Sequence, residues 1–94
     1  MKENYEDNLQ KHAIQRMHER SISEIEVEQA IENGTNINEY PNDTPYPSAL
    51  LLGKAGDKAV HVVYADSIEE ELRIIITVYE PNLEIWLEDL KTRR

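Results

Sequence analysis

Ninety-four residues are enough for one domain and too few for two. The chain has no cysteine, which removes disulfides, thiol nucleophiles and most structural zinc sites. Nineteen acidic residues against ten Lys and Arg give a formal net charge of -9. Nucleic-acid binders usually carry the opposite sign, so any reading that involves RNA must gather its cations in one place.

No apolar run approaches the ~20 residues that a membrane span needs. Met1-Lys2-Glu3-Asn4 is not followed by a signal-peptide core. The expectation is a soluble, cytoplasmic protein with no membrane contact, folded as a single domain over residues 1–94.

From about Asn4 to Arg20, Tyr5, Leu9, Ala13 and Met17 recur every fourth residue and predict a helix. A second helix opens at Ser23. Ser23 and Glu26 form a capping box, and Ile22 with Val27 can close a hydrophobic staple around it. Val27, Ala30 and Ile31 make its buried side, Glu24, Glu26, Glu28 and Glu32 look outward, and Gly34 is expected to stop it in a left-handed conformation.

Asn36 to Tyr40 reads as a short strand. Pro41, Pro45 and Pro47 exclude a helix or a central strand after it. Ser48 to Leu52 and Ala59 to Ala65 are two strands of a hairpin turning at Ala55-Gly56-Asp57, with Gly53 and Gly56 both assigned to turns. Leu72 to Tyr79 is the strongest strand, rich in β-branched residues, and Pro81 ends it. Leu83, Trp86, Leu87 and Leu90 keep helical spacing and predict a short C-terminal helix. The order implies an α+β fold: two N-terminal helices packed on a three- to four-stranded antiparallel sheet. Parallel strands would need long crossovers.

Several residue types could carry chemistry. At about 100° per residue, Arg16 and Arg20 fall inside the apolar stripe of the first helix, with His12 at its margin. A guanidinium there needs a carboxylate partner or a path to water. A structural salt bridge is one reading, and a cationic row for a phosphate or other anion is another. His18 points elsewhere. Alternation in Leu72 to Tyr79 puts Leu72, Ile74, Ile76 and Val78 on a core face and Arg73, Ile75, Thr77 and Tyr79 on a mixed one. His61 sits among small residues, where a histidine is more often structural than catalytic. Glu80, just past the strand, could pair with an arginine or act as acid or base. No spacing suits a metal, a phosphate loop or a covalent nucleophile, so neither a cofactor nor a metal is expected.

The segments HAIQRMHERSIS, EVEQAIENG, EYPNDTPYPSALLLG, HVVYA and IITVYEPN, followed by Trp86 and the terminal Arg pair, resemble the domain-of-unknown-function 4258 family. The resemblance runs from about His12 to Arg94. It implies a RelE-like domain of the kind found in bacterial ribonuclease toxins, encoded beside a zinc-finger, helix-turn-helix antitoxin. The matching positions are His12, Arg16, Arg20, His61, Thr77, Tyr79, Glu80 and Trp86, the last read as a packing residue, although an exposed ring could stack on a base. What the resemblance implies is metal-independent cleavage of RNA by attack of the 2′-hydroxyl on the adjacent phosphate. His61 and His12 would serve as acid and base, Arg16 and Arg20 would hold the phosphate, and Thr77 and Tyr79 would orient the nucleotide. The alternatives are a non-catalytic protein-interaction or anion-binding domain, and a subunit whose main contact is an antitoxin or a second copy of itself.

Overall fold

The computed structural model describes residues 6–94 apart from 10, 45 and 68, and only the backbone of residues 6–9, 11 and 12. The chain enters as a strand, not a helix. Glu6–Leu9 (β1) pairs in parallel with the start of Leu72–Tyr79, and the expected first helix is shortened to Lys11–Glu19 (α1). Backbone pairing accounts for the change, because β1 covers an edge of the strongest strand that would otherwise present unpaired N–H and C=O groups. Of the predicted helical stripe, Ala13 and Met17 are buried and Tyr5 lies outside the described residues.

The end of α1 is a Schellman turn. Ile22 N–H donates to Met17 O at 2.8 Å, Ser21 N–H donates to His18 O at 3.3 Å, and Ser21 takes the left-handed position at φ 58°. Ser23 then caps Glu24–Asn33 (α2). Its side chain accepts from Glu26 N–H at 3.2 Å while Glu26 Oε1 accepts from Ser23 N–H at 2.9 Å. Ile22 and Val27 are both buried, as a hydrophobic staple requires.

Thr35–Tyr40 (β2), Ser48–Ala55 (β3), Lys58–Ser67 (β4) and Leu72–Tyr79 (β5) complete a sheet of order β1-β5-β4-β3-β2. The last four strands are antiparallel and β1 alone is parallel. Helix α2 packs on β3 and β4, and α1 packs on β5. The core between them includes Met17, Val27, Ile31, Leu51, Val60, Val62, Ile75 and Val78. The protein is therefore α+β, with two helices laid on one face of the sheet. Among the described residues no helix is long and apolar enough to cross a membrane.

Two glycines act differently from the expectation. Gly34 is extended, at φ -85°, and not left-handed. Gly53 lies inside β3 and not in a turn. Both are places where α2 and β3 touch: a Cβ on Gly53 would collide with Ala30 O, and one on Gly34 would collide with the Leu51 side chain. Only Gly56, at φ 63°, serves the β3–β4 turn.

A bulge in β5 resets which residues face the core. Val63 pairs with Thr77 and Tyr64 with Ile75, so Ile76 is an extra residue on β5. The predicted core face of Leu72, Ile74, Ile76 and Val78 is thus broken. Ile75 and Val78 are fully buried on the helix side, whereas Leu72, Ile74 and Ile76 are only half-buried. Arg73 follows Ile75 inward and is 3% exposed. It pairs bidentately with Asp66, at 2.8 and 3.0 Å, with its guanidinium carbon 4.1 Å from the centre of the Tyr64 ring.

The expected C-terminal helix does not form. Residues 80–94 make a strap of turns closed by an antiparallel bridge between Trp86 and Arg93. Leu87 N–H donates to Thr92 O and Arg94 N–H to Ile85 O, each at 2.8 Å, and Asp89 accepts from Lys91 N–H and Thr92 N–H. These backbone bonds hold the Asp89 carboxyl below its usual range. The helical spacing fails because Leu83, Ile85 and Leu87 stay exposed while Trp86 and half-buried Leu90 turn in.

Candidate functional site

The site begins where β1 stops. β1 pairs only as far as Ile75, leaving the second half of that β5 edge without a strand. Arg20, just past α1, fills the position: its Nη1 donates to Val78 O at 2.7 Å. Its guanidinium carbon lies 6.0 Å from the centre of the Tyr79 ring, at the outer reach of a cation–π contact.

The strap supplies the opposite wall. Pro81 ends β5, and Asn82 starts the turn, its backbone carbonyl accepting from Ile85 and Trp86 N–H at 2.9 and 2.8 Å. The Trp86–Arg93 bridge then sets the Arg93 guanidinium carbon 5.6 Å from the centre of the Trp86 ring. Together Arg20, Tyr79, Glu80, Asn82, Ile85, Trp86 and Arg93 line a pocket of about 530 Å³. That is a volume suited to a small ligand or one nucleotide unit.

Charge gives the pocket its character. Ion pairs among the described residues join Arg16 to Glu19, Lys58 to Glu26 and Arg73 to Asp66. Neither Arg20 nor Arg93 has a carboxylate partner there. An aromatic ring stands beside each, the Glu80 carboxylate lines the same pocket, and the Arg20 charge reaches Glu19.

Behind the pocket wall lies His61, on β4 directly opposite Tyr79 and 0% exposed. Nε2–H donates to Leu90 O at 2.8 Å; a carbonyl only accepts, so this nitrogen carries the proton. Nδ1 then accepts from the Tyr79 hydroxyl at 3.2 Å. Trp86 packs edge-on against the imidazole with ring centres 4.6 Å apart. Burial pushes the His61 pKa below its ordinary 6.5, partly offset by the bond to Leu90 O, so the ring is neutral at pH 7. Burial also raises the Tyr79 phenol, against the pull of Arg93 and Arg20, so it keeps its proton.

Of the residues singled out in the sequence, Arg20, Tyr79 and Glu80 meet in the pocket, and His61 touches it from behind. Thr77 is half-buried, opposite Val63 and outside the pocket lining. Arg16 is on the exposed side of α1, paired with Glu19 at 3.0 Å, away from the sheet edge. His12 is in the first turn of α1, and its side chain lies outside the described residues. The sequence reading missed Asn82, Ile85 and Arg93, and it gave Trp86 packing first, with base stacking as the alternative. The Pro81-Asn82 turn start and the basic C-terminus were the available signals. Among the described residues no cluster of three His, Asp or Glu side chains could hold a metal ion.

The family model described as a domain of unknown function, DUF4258, matches residues 9–80. The chain belongs to that family. No curated protein and no solved structure matches it. The DUF4258 match contains Arg20, Tyr79, Glu80 and His61, whereas the strap with Trp86 and Arg93 lies beyond it.

Proposed function

We propose that the pocket binds the phosphodiester backbone of RNA and cleaves it without a metal. The observation that carries this reading is the pair of arginines, Arg20 and Arg93, that line one pocket and form no ion pair among the described residues, in a chain of net charge -9. The half-buried Tyr79 ring stands in the same pocket, where stacking of a base on an aromatic ring contributes about 1–3 kcal/mol.

In this reaction Glu80, exposed at the pocket edge, takes the proton of the ribose 2′-hydroxyl as the 2′-oxygen attacks phosphorus. Arg20 and Arg93 stabilise the extra negative charge on the five-coordinate phosphorus. The bond to the 5′-oxygen breaks, that oxygen takes a proton from water, and the hydroxide so formed takes back the proton held by Glu80. The products are a 2′,3′-cyclic phosphate and a free 5′-hydroxyl. His61 is sealed from solvent, so it acts through Tyr79 and not on substrate. The same reading carries a toxin role, with an antitoxin protein as the expected partner; growth arrest on expression tests it.

Purified protein incubated with RNA in EDTA is expected to yield fragments ending in 2′,3′-cyclic phosphate. Glu80→Gln should slow this by about 100-fold or more, and Arg20→Ala or Arg93→Ala by a similar factor. RNA left intact at every protein concentration overturns cleavage. Binding without cleavage would establish the second reading, a non-catalytic anion-binding domain. That reading is favoured by the absence of a histidine among the described residues that line the pocket.

A further inference from the structure

The pocket is made of two pieces that share little backbone pairing. Arg20, Tyr79 and Glu80 belong to the α1–β5 side, while Asn82, Ile85, Trp86 and Arg93 belong to the strap. The strap's own hydrogen bonds close it on itself: Leu87 to Thr92, Arg94 to Ile85, Arg94 Nε to Leu83 O and Thr92 to Asp89. Among the described residues, one side chain of the sheet hydrogen-bonds into it. His61 accepts from Tyr79 at one ring nitrogen, donates to Leu90 O with the other, and lies edge-on to both Tyr79 and Trp86.

We infer that His61 is a positioning residue that latches the strap to the sheet and so sets the spacing between the two arginines. The inference rests on the pocket being the ligand site. Leu90 takes a left-handed conformation, φ 60°, that a leucine adopts at a cost. The His61 Nε2–H bond offsets that cost by using the carbonyl this conformation turns inward. Its Nδ1 meanwhile fixes the Tyr79 proton away from the pocket, so the phenol oxygen can present only lone pairs to a ligand. Loss of the ring would leave Arg20, Tyr79 and Glu80 in place on β5 and its flank. Trp86 and Arg93 would swing free.

Three substitutions separate a latch from a core filler. His61→Gln can return an N–H to the position of Nε2 and reach Leu90 O; His61→Asn is too short, and His61→Leu fills space without a donor. Trp86 is the only tryptophan, so its emission reports the strap directly. The Gln variant is expected to keep wild-type emission and resistance of the strap to proteolysis. The Asn and Leu variants should show red-shifted emission and cleavage within residues 80–94, with far-UV circular dichroism of the sheet retained. Inorganic phosphate binding should weaken about tenfold or more in Asn and Leu, as expected for losing one charged hydrogen-bonding partner.

Native emission in the Leu variant overturns the latch, because packing alone would then suffice. Equal loss in Gln and Leu overturns it too, since the donor would not matter. Nitrogen NMR of the unaltered protein needs no substitution: His61 should be the Nε2–H tautomer, and an Nδ1–H tautomer refutes the inference. If wild-type protein binds neither phosphate nor RNA, the ligand reading fails while the emission, proteolysis and NMR results still decide the latch.

Discussion

Removing one isoleucine from the Ile74–Ile75–Ile76 run is expected to leave the fold standing, although a deletion inside a strand normally destroys it. β5 carries one residue more than β4 between the Tyr64–Ile75 and Val63–Thr77 pairs. Its loss converts the bulge into an uninterrupted ladder. Arg73 stays opposite Asp66 and Tyr79 stays opposite His61. The cost is the burial of one half-exposed isoleucine plus some local twist, about 1–2 kcal/mol. β4 has no spare residue, so deleting Val62 must turn one half of that strand over. Losing Val62 and exposing Val60, both at 0% exposure, costs about 1.5–3 kcal/mol each, and His61 would be driven in among apolar groups. That sum consumes much of the roughly 5–15 kcal/mol that stabilises a domain. Urea unfolding followed by Trp86 fluorescence measures both variants at unchanged slope. The reasoning is refuted if the isoleucine deletion costs as much as the Val62 deletion, or if its native Trp86 signal is lost.

Ser21→Gly should stabilise the protein by about 0.5–1 kcal/mol, since glycine takes the left-handed position without a Cβ penalty; a Tm that does not rise counts against the Schellman turn. Gly53→Ala should cost about 1–3 kcal/mol or more because its Cβ meets Ala30 O, while Gly56→Ala, with nothing within 4 Å, should cost only the strain of φ 63°, about 1 kcal/mol. Equal urea midpoints for the two would refute the close approach of α2 to β3. His61 is neutral and buried, with a folded pKa below 6.5, so the unfolded chain takes up the proton first as pH falls. Its contribution is fully present above pH 6.5 and is lost as pH falls below it, at up to about 1.4 kcal/mol per pH unit. His61→Gln should flatten stability in that window, and an unchanged slope refutes the assignment.

Local rules read from the sequence held where neighbouring side chains satisfy one another, and failed at Gly34 and Gly53, whose roles are set by the approach of α2 to β3. Ser23 and Glu26 satisfy each other's backbone donors without help from elsewhere, and Leu72 to Tyr79 is a strand over its whole predicted length. What failed needed knowledge of a distant partner. The bulge at Ile76 is invisible in a run of identical isoleucines, because only the register against β4 shows which one is extra. Leu83, Trp86, Leu87 and Leu90 carry a helical period, yet Leu83 and Leu87 stay exposed and Trp86 goes instead to the His61 ring. Arg20, Tyr79 and Glu80 were recoverable because helix end and strand end are short-range features. Arg93 was not, because its place depends on the strap closing at the Trp86 bridge.

Under the proposed RNA reading, the pocket would reconcile an acidic chain with an anionic ligand, and it would do so in a measurable way. Arg20 and Arg93 stand beside rings and form no ion pair among the described residues, so two positive charges face the single Glu80 carboxylate in the pocket lining. The remaining acidity acts from farther away, where salt screens it beyond about 8–10 Å. Raising salt therefore has two opposed effects on RNA affinity. It weakens the contacts to phosphate, and it relieves repulsion from the rest of the surface. Two arginines on a single strand predict a slope of log affinity against log salt of about -1.4 at most, since each neutralised phosphate contributes about -0.7. Screening of the -9 net charge makes the observed slope shallower still. Titration of fluorescein-labelled RNA between 50 and 200 mM salt, a range where such slopes are well resolved, provides the test. A slope of about -3 or steeper would mean four or more phosphates engaged on a broad basic surface, and the two-arginine pocket would no longer account for binding.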